Sequence, residues 1–133
     1  MEMKIRYEGG KKVAADFRGF TVRTDQPTED GGENSAPAPF EFFLASIGTC
    51  AGFYVHAFCE SRKIDTRGIT LYLRDERSAD DTRLEKVRIE IHLPPEFPEK
   101  YKKAVIRSAD QCSVKKAMKN PPDFDITYVT TEG

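Results

Sequence analysis

A long apolar helix pattern in the first half of the chain constrains its fold more than any other feature. Apolar side chains recur at intervals of three and four residues, which is the spacing of one face of an α-helix. The members of this stripe are Phe40, Phe43, Leu44, Ile47, Cys50, Ala51, Tyr54, Val55 and Phe58. Pro37 and Pro39 suit the first turn, and the pattern fades at Ser61, where two basic residues follow and suit a helix C-terminus. Because the apolar face is wide, we expect this helix to lie in the middle of the core.

Alternating apolar residues predict short strands on both sides of this helix. The strands are expected at residues 4–8, 13–17, 20–24, 69–73, 87–93 and 124–128. A polar loop, residues 25–36, precedes the helix, and residues 75–83 would join the fourth and fifth strands as a hairpin. Pro98 opens a second helix, and Cys112 either ends this helix or starts a short one that runs through Met118. The order of elements predicts an α+β fold.

Length and charge limit the classes of protein to which this chain can belong. With 133 residues, it is expected to form one domain over residues 1–133. Lys and Arg number 21 against 22 Asp and Glu, so the net charge of -1 predicts no nucleic-acid partner and no anionic membrane surface. No apolar run approaches the roughly 20 residues of a membrane span, and the N-terminus lacks the apolar core of a signal peptide. A cytoplasmic location is therefore expected.

Three cysteines form an odd count, which argues against a secreted disulfide scaffold. No metal is expected, because there is no CxxC pair and neither His56 nor His92 stands at ligand spacing from a cysteine. Cys59 follows Cys50 by nine positions, which is about 13 Å along a helix and on its opposite face. A disulfide needs Cα atoms within about 7 Å. Cys59 is therefore interpreted as a structural or incidental thiol.

Cys50 and Cys112 are the candidates for chemistry. Cys50 lies on the apolar stripe, so it could be a small core residue. Gly48 and Gly52 flank it, however, and suggest the close approach of another segment or of a ligand. Cys112 can meet Cys50 only through tertiary structure. Two thiols that each lie near an apolar helix face indicate a redox site assembled by folding.

The ionisation of Cys112 depends on which of the two helix alternatives holds. If Cys112 starts a short helix, the local backbone N–H groups would favour its thiolate. The positive charges of Lys115 and Lys116 would add to this effect.

Two segments resemble the motifs of a known family. SAPAPFEFFLASIGTCAGFYV is similar to the central-helix motif of the OsmC/Ohr family, the osmotically inducible and organic hydroperoxide resistance proteins, and ADQCSVKKAM is similar to its second cysteine motif. The resemblance covers nearly the whole chain. It implies an OsmC-like fold with antiparallel sheets around a long central helix, built as an intertwined homodimer with the site at the subunit interface.

The resemblance also implies a two-cysteine peroxidase without a cofactor. Cys50 would be the peroxidatic thiol and Cys112 the resolving thiol. The thiolate would attack a hydroperoxide, the resulting sulfenic acid would condense to a disulfide, and an external dithiol would restore the pair.

This chain departs from the organic-hydroperoxide branch of the family at the start of the central helix. In that branch a glutamate directly follows the proline, whereas here the acid is Glu41, one position later. In a continuous helix Glu41 would point away from Cys50, and its alternative role is that of an acid in the first turn, favoured by the helix dipole. The family also holds its thiolate with an arginine from the N-terminal strands, for which Arg18 and Arg23 are both candidates.

Two functions follow as hypotheses. The first is a cytoplasmic thiol peroxidase that acts on small or organic hydroperoxides in oxidative stress defence. In it Phe40, Phe43, Phe53 and Tyr54 would line an apolar approach to Cys50. The second is a binding or carrier protein for an apolar or sulfur-containing ligand, with weak or no peroxidase activity. The displaced glutamate favours the second hypothesis.

Overall fold

The helix that dominates the sequence pattern is also the longest element of the structure. The computed structural model describes residues 1–131, which form two compact units. Unit 1 contains residues 1–48, and unit 2 contains the residues from Thr49 onward. Within residues 1–131, five strands and three α-helices follow one another. They are β1 (Lys4–Tyr7), β2 (Val13–Phe17), β3 (Phe20–Thr24), α1 (Pro39–Ser61), β4 (Thr70–Arg77), β5 (Leu84–His92), α2 (Lys102–Ala109) and α3 (Ser113–Lys119).

The apolar stripe of α1 is buried along one narrow line. Ile47, Ala51, Val55 and Cys59 are at most 5% exposed, and they stand four residues apart. Other members of the stripe are only partly buried, and Phe53 beside it is 62% exposed. The sequence predicted a wide buried face, but a single copy of the chain covers little more than one row of α1.

The composition of α1 corrects the expectation that no segment approaches a membrane span. Its 23 residues have a mean hydropathy of 1.5 over an 18-residue window, which suffices by length and composition alone to cross a bilayer. A core helix of a soluble protein passes the same test. In unit 2, Val55 and Cys59 of α1 pack against Phe97 and Val105 in the hydrophobic core. The buried row of α1 is thus that of a core helix.

The first unit contains an antiparallel sheet in the order β1–β2–β3. Its second and third strands have the predicted bounds, and Phe17 pairs with Phe20 across a two-residue turn. Arg18 and Gly19 form this turn with φ values of 49° and 81°, as the twist of a tight hairpin requires.

The polar loop between β3 and α1 is built around Asp25. This residue is 1% exposed, and its carboxylate accepts hydrogen bonds from the Ser35 hydroxyl at 2.6 Å and from the backbone N–H groups of Gln26, Glu33 and Ser35. These bonds, led by that of Ser35, lower the pKa of Asp25 to about 2. The backbone N–H of Asp25 also donates to the Pro37 carbonyl. The loop therefore reaches α1 as an ordered segment.

The second unit contains the β4–β5 hairpin, whose strands are longer than predicted. Residues 75–77 continue β4, and the connection shrinks to residues 78–83. Cross-strand charge pairs such as Arg88 with Glu76, at 2.7 Å, extend the pairing beyond the apolar residues. The apolar face of the hairpin packs on the core of unit 2 through Leu71 and Ile91.

The C-terminal part resolves one open alternative and overturns one expectation. Cys112 directly precedes α3, so it starts a short helix and does not end α2. The predicted strand at 124–128 is wrong, because the described residues 121–131 contain neither helix nor strand. Phe124, Ile126 and Tyr128 are 83%, 91% and 89% exposed. An apolar alternation becomes a strand only when a neighbouring strand takes up its backbone hydrogen bonds.

Candidate functional site

Folding brings Cys50 and Cys112 together within unit 2. Cys50 lies on the central part of α1, and Cys112 occupies the turn between α2 and α3. The Cys112 thiol donates a hydrogen bond to the sulfur of Cys50, which lowers the pKa of Cys50. Both residues are free thiols. Cys50 is partly exposed, whereas Cys112 is only 2% exposed.

The sulfur of Cys50 also contacts the first residue of α3. Its Sγ lies 3.4 Å from the hydroxyl oxygen of Ser113. This hydrogen bond is the largest cause of a lowered pKa of Cys50, which falls to about 7. Burial opposes the shift, while the backbone N–H groups of Val114 and Ser113 assist it. Ser113 was not among the residues predicted from the sequence, and its one sequence signal was a hydroxyl next to a cysteine that could start a helix.

The lowered pKa changes how much reactive sulfur is present near neutral pH. A thiol with a pKa of about 7 is about half thiolate at pH 7, whereas one near the usual value of about 8.5 is only about 3% thiolate. Because the thiolate is the nucleophile of cysteine chemistry, Cys50 has the ionisation and the access that a reactive thiol needs.

Cys59 has the opposite environment. It is fully buried beside Val55, Phe97 and Val105. Burial raises the pKa of its thiol, so Cys59 stays protonated near neutral pH. It lies on the core side of α1.

The backbone N–H groups at the start of α3 bond to the sulfur of Cys50, whereas the expected acceptor was the sulfur of Cys112. The sequence assigned these groups to Cys112, but those of Ser113 and Val114 bond to Cys50. The two lysines that follow have other partners. Lys115 pairs with Asp110, and the Lys116 ammonium donates to the Gln111 side chain at 3.2 Å.

The polar candidates of unit 1 have their own partners. Glu41 accepts a hydrogen bond at 2.8 Å from the backbone N–H of Ala38, just before α1, in the manner of the acid in a capping box. The guanidinium of Arg18 lies 5.2 Å from the centre of the Phe20 ring. The Nε of Arg23 lies 3.5 Å from a carboxylate oxygen of Glu8.

The four aromatic candidates form two pairs. Phe40 and Phe43 have ring centres 5.3 Å apart near the start of α1, and Phe53 and Tyr54 make an edge contact, also at 5.3 Å. The latter pair follows Cys50 by three and four positions, which places it on the same side of the helix. A Cβ on neighbouring Gly52 would meet no atom within 4 Å. Among the described residues, no other segment approaches Gly52 closely, and the space beside it is open.

Two further features complete the description of unit 2. Among residues 1–131, no three His, Cys, Asp or Glu side chains are grouped so that they could hold a metal ion. An open cleft of about 550 Å³ is lined by residues of the segments 63–67 and 94–98, and it contains none of the predicted site residues.

Comparisons with known proteins agree on one family. The family model for OsmC-like proteins matches residues 32–127. The fold is similar to that of a Psychrobacter arcticus 273-4 protein named for osmotic-stress induction and a detoxification response, with a TM-score of 0.75, 25% identity, and coverage of 86% of this chain and 85% of that one. No curated protein sequence matches the chain.

Two more distant solved structures share the fold. An organic hydroperoxide resistance protein OsmC from Legionella pneumophila has a TM-score of 0.59 and 16% identity, with 90% of each chain covered. The organic hydroperoxide resistance protein OhrB of Bacillus subtilis has a TM-score of 0.52 and 14% identity, with 91% of this chain and 93% of that one covered.

Proposed function

Because this chain belongs to the family of OsmC-like proteins, we propose that it is a cytoplasmic thiol peroxidase that reduces organic or small hydroperoxides in oxidative stress defence. The observation that carries the proposal is the contact between two thiols far apart in sequence, Cys50 and Cys112, in which the pKa of Cys50 is lowered to about 7. The names of the Legionella and Bacillus proteins, which refer to organic hydroperoxide resistance, support the substrate class.

The bonds that form and break in the proposed reaction involve the two thiols, the hydroperoxide and an external dithiol. The Cys50 thiolate attacks the outer oxygen of the hydroperoxide, so the S–O bond forms as the O–O bond breaks. The alkoxide takes up a proton and leaves as an alcohol, and Cys50 becomes a sulfenic acid. The Cys112 sulfur then attacks Cys50, an S–S bond forms, and water leaves. A dithiol reduces this disulfide by exchange and is itself oxidised.

The exposure of the two thiols supports this assignment of roles. The peroxidatic sulfur must meet a substrate from solution, and Cys50 is the partly exposed one of the pair. Cys112 is 2% exposed, so a hydroperoxide reaches it less easily, but it already touches the sulfur with which it would condense. Phe53 and Tyr54 are the aromatic residues proposed to favour an apolar substrate at Cys50.

A binding or carrier protein for an apolar or sulfur-containing ligand is the second candidate. The observation that favours it is the position of the polar groups that the family resemblance implies for catalysis. Glu41 caps the start of α1, and Arg23 pairs with Glu8. In a binding protein the Cys50 thiolate would hold the ligand or turn over slowly.

We also propose that the protein works as a homodimer. In one copy, Phe40 and Phe53 of α1 are 38% and 62% exposed, and Ile5 and Tyr7 of β1 are 60% and 87% exposed. We propose that these exposed apolar side chains form part of the interface between two copies.

Steady-state consumption of cumene hydroperoxide with a dithiol reductant tests the peroxidase proposal. Cys50→Ser should abolish turnover. Cys112→Ser should allow one turnover and leave a sulfenic acid on Cys50 that dimedone traps. Cys59→Ser is the matched control and should keep its activity. If the wild-type protein consumes peroxide no faster than free cysteine, or if the trapped sulfenic acid is on Cys112, the proposed reaction is wrong.

A further inference from the structure

We propose that Ser113 is a catalytic residue whose hydroxyl holds the Cys50 thiolate and keeps it available for reaction. The inference deepens the proposed peroxidase function and rests on it for its biological meaning. Its basis is the 3.4 Å contact between the Ser113 hydroxyl oxygen and the Cys50 sulfur. A thiolate carries no proton, so in the reactive state the serine hydroxyl must be the donor of this bond.

The geometry places this donor next to both sulfurs of the redox pair. Ser113 follows Cys112 directly and begins α3, while Cys50 approaches from α1. The sulfur of Cys50 thus receives hydrogen bonds from the Cys112 thiol and the Ser113 hydroxyl together. During turnover Cys112 is consumed as it forms the disulfide, whereas the serine keeps its proton. Ser113 is therefore a side-chain donor to Cys50 that the reaction does not consume.

The charged groups around this contact do not provide the same stabilisation. On α3 and the turn before it, Lys115 pairs with Asp110 and Lys116 donates to Gln111. On α1, Tyr54 is the titratable side chain one turn beyond Cys50. The lowering of the Cys50 pKa comes from hydrogen bonds, with Ser113 first among them. In this structure neutral hydrogen-bond donors stabilise the thiolate, whereas in many reactive thiols a nearby cation does so.

The expected effect on rate is smaller than the effect on ionisation, and this decides which measurement is useful. Without the Ser113 hydroxyl we expect the midpoint of Cys50 ionisation to rise from about 7 to between about 8 and 9, so the thiolate fraction at pH 7 falls about 5- to 50-fold. A more basic thiolate is also more nucleophilic, with a Brønsted coefficient of about 0.4–0.5, which restores about 3- to 8-fold. The net rate at pH 7 would fall only about two- to sixfold. The midpoint of Cys50 ionisation therefore reports the loss of the hydroxyl more clearly than the rate at pH 7 does.

The experiment measures the alkylation rate of Cys50 in the reduced full-length protein as a function of pH. Iodoacetamide is the probe, and mass spectrometry of the peptide that contains Cys50 separates it from the other thiols. We expect Ser113→Ala to move the midpoint upward by at least one pH unit and Ser113→Thr, which keeps a hydroxyl, to restore most of the wild-type value. Ser61→Ala removes another exposed serine of unit 2, one that bonds to the Phe58 carbonyl, and should leave the midpoint unchanged.

A second measurement tests the inference on the wild-type protein, in case Ser113→Ala fails to fold. If neutral donors hold the thiolate, the midpoint should stay the same from low to molar salt, whereas a partly exposed cation would be screened and the midpoint would rise. A wild-type midpoint that rises with salt, or a folded Ser113→Ala variant with an unchanged midpoint, overturns the inference. Alkylation needs no peroxide, so this result is independent of whether the protein proves to be a peroxidase.

Discussion

The exposed apolar row near the C-terminus leads to a prediction about assembly. Phe124 and Ile126 are 83% and 91% exposed, and they alternate with polar residues as in a strand. In an extended chain such residues lie on one face. We predict that this face is buried against a second copy of the chain, and that replacing Phe124 and Ile126 by Asp dissociates the dimer.

The size of the effect follows from the apolar surface that the two side chains expose. Burial of one Phe or Ile side chain stabilises by about 1.5–3 kcal/mol, so four such side chains across a two-fold dimer contribute about 6–12 kcal/mol. If relaxation of the variant recovers a third of the lower value, about 4 kcal/mol remains. This corresponds to a dissociation constant about a thousandfold weaker.

Sedimentation velocity over a range of concentrations measures this change. The wild-type protein should sediment as a dimer at micromolar concentration, and the double variant as a monomer. Thr127→Asp is the matched control, because Thr127 is exposed in the same segment but lies on the alternate face, and this variant should stay dimeric. The reasoning is refuted if the wild-type protein is a stable folded monomer at micromolar concentration, or if the folded double variant remains a dimer.

Three further predictions concern ionisation, packing and backbone space. The alkylation rate of Cys50 should rise about tenfold from pH 6 to pH 8, because its thiolate, with a pKa of about 7, is lost as the pH falls; a rate that keeps rising beyond pH 9 contradicts this. Val105→Ala, in the core, should lower the free energy of unfolding in urea by about 2–3 kcal/mol, whereas Ile106→Ala, at a 61% exposed position, should change it by less than about 0.5 kcal/mol. Gly32→Ala should lower it by at least about 2 kcal/mol, because the new Cβ would lie 2.0 Å from a backbone carbonyl oxygen. A neutral result for Gly32→Ala would refute this close contact. Gly52→Ala, in open space, should instead raise the free energy of unfolding by up to about 1 kcal/mol.

The elements that the sequence predicted well are those whose signal is local. β2 and β3 have the predicted bounds, because two short alternating runs are joined by a turn that Gly19 permits. The start and end of α1 follow from Pro39 and from the end of the apolar stripe at Ser61. These signals depend on backbone geometry within a few residues, so the sequence contains them in full.

The failures have a different physical origin. Residues 124–128 alternate like a strand but are exposed and form no strand, since pairing depends on a neighbour that the pattern does not specify. The contact between Cys50 and Ser113 depends on how α3 packs, and a serine beside a cysteine carries no signal of its own. The sequence therefore identified Cys50 and Cys112 as candidates, but it did not identify Ser113 as the residue that lowers the pKa of Cys50.

The arrangement around Cys50 also explains why a neutral donor suits an attacking thiol. An attacking thiol is most effective when its pKa lies near the ambient pH, because a lower pKa can increase the thiolate fraction by at most about twofold while it steadily reduces the nucleophilicity of the thiolate. The hydrogen bonds of Ser113 and Cys112, opposed by burial, bring the pKa of Cys50 to about 7. A fully desolvated cation beside the same sulfur would lower the pKa further and would weaken the attack. The position of the hydroxyl thus sets the pKa of Cys50 near the optimum for an attacking thiol, and the buried Cys112 lies beside it.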